Sequence, residues 1–143
     1  VTRAVLDDHL VRDLLADDVS ADLAQLLHDH EPATTNLFLY RLCRSVVSAP
    51  GGALTGSWEP EERQALGRRL LTPPDNIEIV PIRLLAYRMA EIGDAYRVST
   101  LGAEAVAAAE RLDGPLCVWE GDDGPGTHAA TVALGVGYRT ITR

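Results

Sequence analysis

No lysine occurs in the chain, and all 13 basic residues are arginine. Without lysine there is no phosphate-binding loop of the usual kind, so Gly124-Pro125-Gly126 ahead of Thr127 is not read as one. An alanine-rich, lysine-free composition is accounted for by the codon bias of a GC-rich genome. Cysteine is scarce as well. Cys43 and Cys117 each stand in an apolar pattern and lack metal-ligand spacing, which predicts buried reduced thiols and a cytoplasmic protein. No apolar run approaches a membrane span, and acids arrive as early as Asp7, so neither a spanning helix nor a signal peptide is expected. Aromatic residues make up only 5% of the chain, so the core must be mostly aliphatic. Positive charge is in deficit: the net charge is −8 and the pI about 4.8. That excludes a strong general attraction to phosphate backbones, though not a local basic stripe.

What is present alternates. The length of 143 residues suits one domain, residues 1–143, with a proper core. Arg3–Leu6 reads as a short buried strand, followed at once by a helix over 9–16. Ser20 caps a second helix that ends near Glu31-Pro32. Residues 33–35 read as a strand, and a helix follows to about Ser48, with Leu37, Tyr40, Leu42 or Cys43, and Val47 at helical spacing. Pro50-Gly51-Gly52 breaks it. Pro60 opens a helix carrying Leu66, Leu70 and Leu71, with Glu59, Glu61 and Glu62 at its positive end. Residues 77–80 form a strand, and 82–92 a helix stopped by Gly93. Ser99 or Thr100 caps a helix over 101–112; Leu116–Trp119 is a strand; Thr127 caps a short helix to Leu134; residues 137–141 are a last strand. Strands alternating with helices long enough to be crossovers predict a three-layer α/β/α sandwich with a mainly parallel central sheet.

In such a sheet the strand ends converge on one rim. Asp7 and Asp8 follow the first strand, Glu120, Asp122 and Asp123 follow Leu116–Trp119, and Glu104 lies one turn into the preceding helix. Clustered carboxylates raise one another's pKa unless a cation neutralises them, and hard oxygen ligands suit Mg²⁺ or Mn²⁺. The plainer account stands beside this one. Asp8 is a good N-cap for the helix that follows, and acids in a glycine-rich loop are ordinary turn formers. His9 adjoins the acids, and a lone histidine is more often structural. His28 and His30, two apart, face different sides of a helix and do not chelate. Arg41 and Arg44 are one turn apart and could contact phosphate, with ordinary ion pairs the default. Arg63, Arg68 and Arg69 read as a solvated face. Trp119 is expected at a strand end beside the acids, where packing is its default role and, if exposed, it could stack a base.

Two families share motifs with the chain. Leu6-Asp7-Asp8-His9-Leu10-Val11-Arg12 resembles the start of a receiver domain, but that family's later phosphoacceptor aspartate and its lysine have no counterpart here. More of the chain resembles the PIN domain, the fold of VapC-type toxin ribonucleases. The resemblance runs through Val5-Leu6-Asp7, Leu37-Phe38-Leu39-Tyr40-Arg41, the stretch 60–85, and Ala109-Glu110-Arg111-Leu112 with Gly114-Pro115-Leu116. It implies a metal-dependent ribonuclease site with Asp7 as its first acid and Glu120 as its fourth, both metal ligands. Arg41 and Gly102 stand where the family writes the second and third.

Two readings of the site follow from that resemblance. In one, the chain is an RNA-associated, VapC-like protein with an incomplete site, with little or no nuclease activity and no metal. In the other, Asp7 and Glu120, helped by Asp8, Glu104, Asp122 or Asp123, bind Mg²⁺ or Mn²⁺ in a rearranged site and hydrolyse RNA. Where no metal binds, Arg41 could pair with Asp7 and replace it electrostatically. The resemblance also implies an antitoxin-like protein partner and a homodimer. A non-catalytic protein-interaction module is the competing class.

Overall fold

The computed structural model describes residues 2–48 and 54–143. Five parallel strands form one sheet: β1 (Arg3–Leu6), β2 (Glu31–Thr35), β3 (Glu78–Val80), β4 (Leu116–Trp119) and β5 (Tyr138–Ile141), in the order β3-β2-β1-β4-β5. Among the described residues seven α-helices cover it: α1 (Asp8–Leu15), α2 (Ala21–Asp29), α3 (Asn36–Val47), α4 (Pro60–Leu71), α5 (Ala86–Ala95), α6 (Thr100–Leu112) and α7 (Pro125–Leu134). This is the three-layer α/β/α sandwich that the alternation predicts. The Pro50-Gly51-Gly52 break lies outside the described residues. None of the described helices is long and apolar enough to cross a membrane.

The strand alternation sorts the core into two layers. Val5, Leu116 and Val118 face α5, α6 and α7, where Met89, Ile92, Val106 and Ala130 pack. Ala4, Leu6, Cys117 and Ile141 face the other way, onto Leu10, Leu23, Leu26 and Leu66 of α1, α2 and α4. The alanine run of α6 lies against β1, β2 and β4, and its small side chains allow that close approach. Helix α3 straddles the layers, with Phe38 in one and Leu42 in the other.

Several local expectations shift. The buried stripe of α3 is Phe38 and Leu42, with Tyr40 and Val47 left 62% and 80% exposed. Apolar residues cover more than half of that helix's circumference, leaving Arg41, Arg44 and Ser45 on the polar side, so spacing could not choose which part of the wide apolar arc is buried. Leu71 is likewise exposed, and Cys43 is only half-buried while Cys117 is fully buried. The helix expected over 82–92 splits into a 3-10 turn at Ile82–Leu84 and then α5, which runs through Gly93 to Ala95. Ser20 and Ser99 cap α2 and α6 as expected. Helix α7 begins earlier than expected: Pro125 supplies the first turn, where a missing N–H costs nothing, and Thr127 is not its cap.

Two glycines separate backbone tolerance from backbone necessity. A Cβ on Gly114 would lie 1.8 Å from the carbonyl oxygen of Arg3, whereas one on Gly93 meets nothing within 4 Å. Gly114→Ala should therefore lower stability by about 1–3 kcal/mol as the α6–β4 turn is forced away from β1. Gly93→Ala should raise it by about 0.5–1 kcal/mol, by removing helix-interior glycine entropy. Urea unfolding of the two variants reads both signs.

Candidate functional site

The strand order reverses between β1 and β4, and in parallel sheets ligands collect outside the carboxyl ends at such a point. Asp7 stands there. It is the last extended residue before α1, and Oδ1 accepts from the Leu10 amide at 2.9 Å, so Asp7 is the N-cap. Asp8 is then the first helical residue, against the expectation that it would cap. The cap must keep extended backbone while its oxygen reaches the amide three residues on, and only Asp7 does both. The second oxygen of Asp7 accepts from the Trp119 amide at 3.0 Å, across the reversal point. Asp7 is 1% exposed. Burial pushes its carboxyl up to about 7, against the pull of the two amides, and the charges of Asp8 and Asp122 add to the rise.

Asp8 is completely buried. Burial raises its pKa, and the Arg41 guanidinium pulls it back down. Nη1 of Arg41 lies 3.2 Å from Oδ2 of Asp8, an ion pair whose alignment does not make a hydrogen bond. Arg41 therefore pairs with Asp8, not with Asp7 as the sequence reading supposed. Helical geometry explains the choice: Asp7 spends both oxygens on backbone amides, and Asp8 is the acid with an oxygen to spare.

His9 sits under the same rim, 4.7 Å centroid to centroid from the Trp119 ring. Burial, helped by Arg12, lowers its pKa to about 4, so the imidazole is neutral near neutral pH. Nε2 lies 3.8 Å from Oδ2 of Asp122. Asp8, His9 and Asp122 each bring one ligand-competent atom within 4.8 Å of the others. Asp8 Oδ2 and His9 Nδ1 are buried without a hydrogen-bond partner.

The remaining sequence candidates are dispersed. Glu104 is buried in α6 and braces α3, accepting from the Leu37 amide at 3.0 Å; its other oxygen is unpartnered. Glu120 opens an exposed 3-10 turn, Glu120–Asp122, and falls outside the ligand cluster. Asp123 accepts from the Tyr138 hydroxyl, which ties it to β5. Gly102 lies close under Thr127: a Cβ there would come within 2.6 Å of Oγ1 of Thr127, whose side chain would have to turn aside. A cleft of about 210 Å³ opens between these elements, with Asp7, Arg41, Asp122 and Thr127 on its polar side and Phe38 and Val118 on its apolar side. The part played by His9 and Thr127 was the least legible beforehand. Its one sequence signal is the run Asp7-Asp8-His9 at a strand end.

No protein-family model matches the sequence, and no curated protein matches it. Among solved structures it is similar to a chain of a toxin–antitoxin complex from Klebsiella pneumoniae, with 18% identity and a TM-score of 0.55 over 86% of this chain and 91% of that one. At that identity the likeness establishes the fold.

The raised pKa of Asp7 has a stability consequence. Below about 4 it is protonated in both states. Between about 4 and 7 the unfolded chain ionises it while the folded chain keeps the proton, so folding loses free energy as pH rises through that window. His9 acts in the opposite sense between about 4 and 6.5, where the unfolded chain is the more protonated. Comparing Asp7→Asn with the wild type cancels the His9 contribution. The difference in unfolding free energy should move in the variant's favour from pH 4 to pH 7 and flatten above it, as read by denaturant titration across pH.

Proposed function

We propose that the chain is a PIN-like, VapC-related protein of the toxin–antitoxin kind that associates with RNA, and that its metal site is incomplete, leaving nuclease activity weak or absent. The observation that carries this reading is the Arg41–Asp8 pair. A guanidinium stands at the rim where the PIN resemblance calls for a second carboxylate, and it neutralises from within the charge that a metal would otherwise neutralise. The likeness to the Klebsiella pneumoniae toxin–antitoxin chain supports the toxin–antitoxin part of this reading.

Mg²⁺ prefers near-octahedral oxygen ligands. Asp7 has both oxygens on backbone amides. Glu120 and Asp123 stand apart from the cluster, and Thr127 takes the space beside Gly102. These residues do not fit the four-acid centre of the PIN resemblance. What the cleft offers RNA is the half-exposed Arg41 for a phosphate and an apolar wall beside it.

A protein partner is favoured by a separate surface. Tyr40, Val47 and Leu71 are exposed, and Val46, Leu70 and Gly67 line an apolar groove between α3 and α4. An antitoxin-like helix would bury it.

The test is cleavage of structured RNA with Mg²⁺ or Mn²⁺, run beside Asp7→Asn. We expect the two proteins to agree within about twofold. A drop of about tenfold or more in the variant would overturn the inactive reading in favour of a working rearranged site. Retention of RNA on a filter, and its loss in Arg41→Ala, measures the association without the chemistry.

A further inference from the structure

We propose that Asp8, His9 and Asp122 form a site for one borderline divalent cation of the Mn²⁺, Co²⁺ or Zn²⁺ kind, and that Arg41 is the internal cation this metal displaces. The inference rests on reading the rim as a cation site, and not on RNA as a substrate. Its ligand set differs from the one the PIN resemblance implies: it includes a nitrogen and leaves out Asp7 and Glu120.

Geometry comes first. One atom from each of the three residues lies within 4.8 Å of the others. The 3.8 Å between His9 Nε2 and Asp122 Oδ2 suits two ligands about 2 Å from a shared ion. Asp122 is half-exposed in the turn after β4, so its side chain is free to close the remaining distance.

The second observation is independent of proximity. Asp8 Oδ2 and His9 Nδ1 are fully buried and unpartnered by any hydrogen bond. Native proteins rarely leave an oxygen like Asp8 Oδ2 buried without a hydrogen bond, and here it belongs to the cluster. An ion would take that oxygen together with His9 Nε2, the ring nitrogen that faces Asp122.

The donor chemistry selects the metal. One imidazole with two carboxylates suits Mn²⁺, Co²⁺ and Zn²⁺ better than Mg²⁺ or Ca²⁺, which take oxygen. Arg41 occupies the charge position in the meantime. Its side chain is 47% exposed, so it can turn to solvent when the ion arrives, and its poor alignment on Asp8 leaves little to break.

The experiment titrates metal-free protein with Co²⁺, read by visible absorption, and with Zn²⁺, read by calorimetry. We expect one ion per chain. Asp122→Asn, at a half-exposed position that does not carry the fold, should weaken binding by about tenfold or more, and Arg41→Gln should tighten it. His30→Ala, at the opposite end of the sheet, should leave binding unchanged. Absence of a Co²⁺ spectrum in the wild type, equal binding by Asp122→Asn, weaker binding by Arg41→Gln, or loss of binding in His30→Ala would each overturn the inference. None of these outcomes depends on RNA cleavage, so a failure here is distinguishable from a failure of the incomplete-nuclease reading.

Discussion

The carboxylate of Asp7 accepts from two backbone amides that belong to different parts of the fold. One is in the first turn of α1 and the other is the Trp119 amide at the end of β4. A side chain that reaches both fixes where the first strand stops, how the first helix starts and how β4 sits at the point where the strand order reverses. The backbone reinforces it, with the Asp7 amide donating to the Cys117 carbonyl at 3.1 Å. Once these contacts form, Asp8 and His9 have no freedom left. They become the first residues of a helix held against the sheet, and their side chains are buried with it.

That burial explains the unusual chemistry of α1. A short helix with Asp8, His9, Arg12 and Asp13 all inside must satisfy its charges locally. Arg12 bonds Asp13 at 3.0 Å and donates to the Leu54 carbonyl at 2.7 Å, and Arg143 reaches Asp13 from the C-terminal end at 2.9 Å. On that side each charge faces an opposite one within the fold. On the rim side, Asp8 Oδ1 accepts from the His9 amide at 3.0 Å, and its other oxygen faces the half-exposed Arg41, while His9 lies between Trp119 and Asp122. Buried ion pairs contribute little net stability, so a partly satisfied one beside a cleft is better understood as a site than as a brace.

Arg41 and Gly102 act together. The guanidinium supplies positive charge where a carboxylate would demand a metal. The Thr127 hydroxyl lies where a Cβ at 102 would meet it. Tyr138 donates to Asp123 and ties it to β5, away from the cluster.

The strand-and-helix alternation, the parallel sheet and the cap residues Ser20 and Ser99 could be read from sequence because they depend on local pattern: apolar runs of strand length, helical spacing, and a side chain three residues from the amide it serves. Asp7 could be placed at a strand end for the same reason. The face of α3 could not be, because its apolar arc covers more than half of the helix and only contact with both core layers singles out Phe38 and Leu42. Which acids meet was equally out of reach. Asp122 joins Asp8 and His9 across more than a hundred residues, while Glu120, two positions away, turns to solvent. Spacing along the chain determined that carboxylates would gather at one edge of the sheet. The tertiary structure decided which oxygens stay free there, because that depends on which backbone amides and which arginine reach them first.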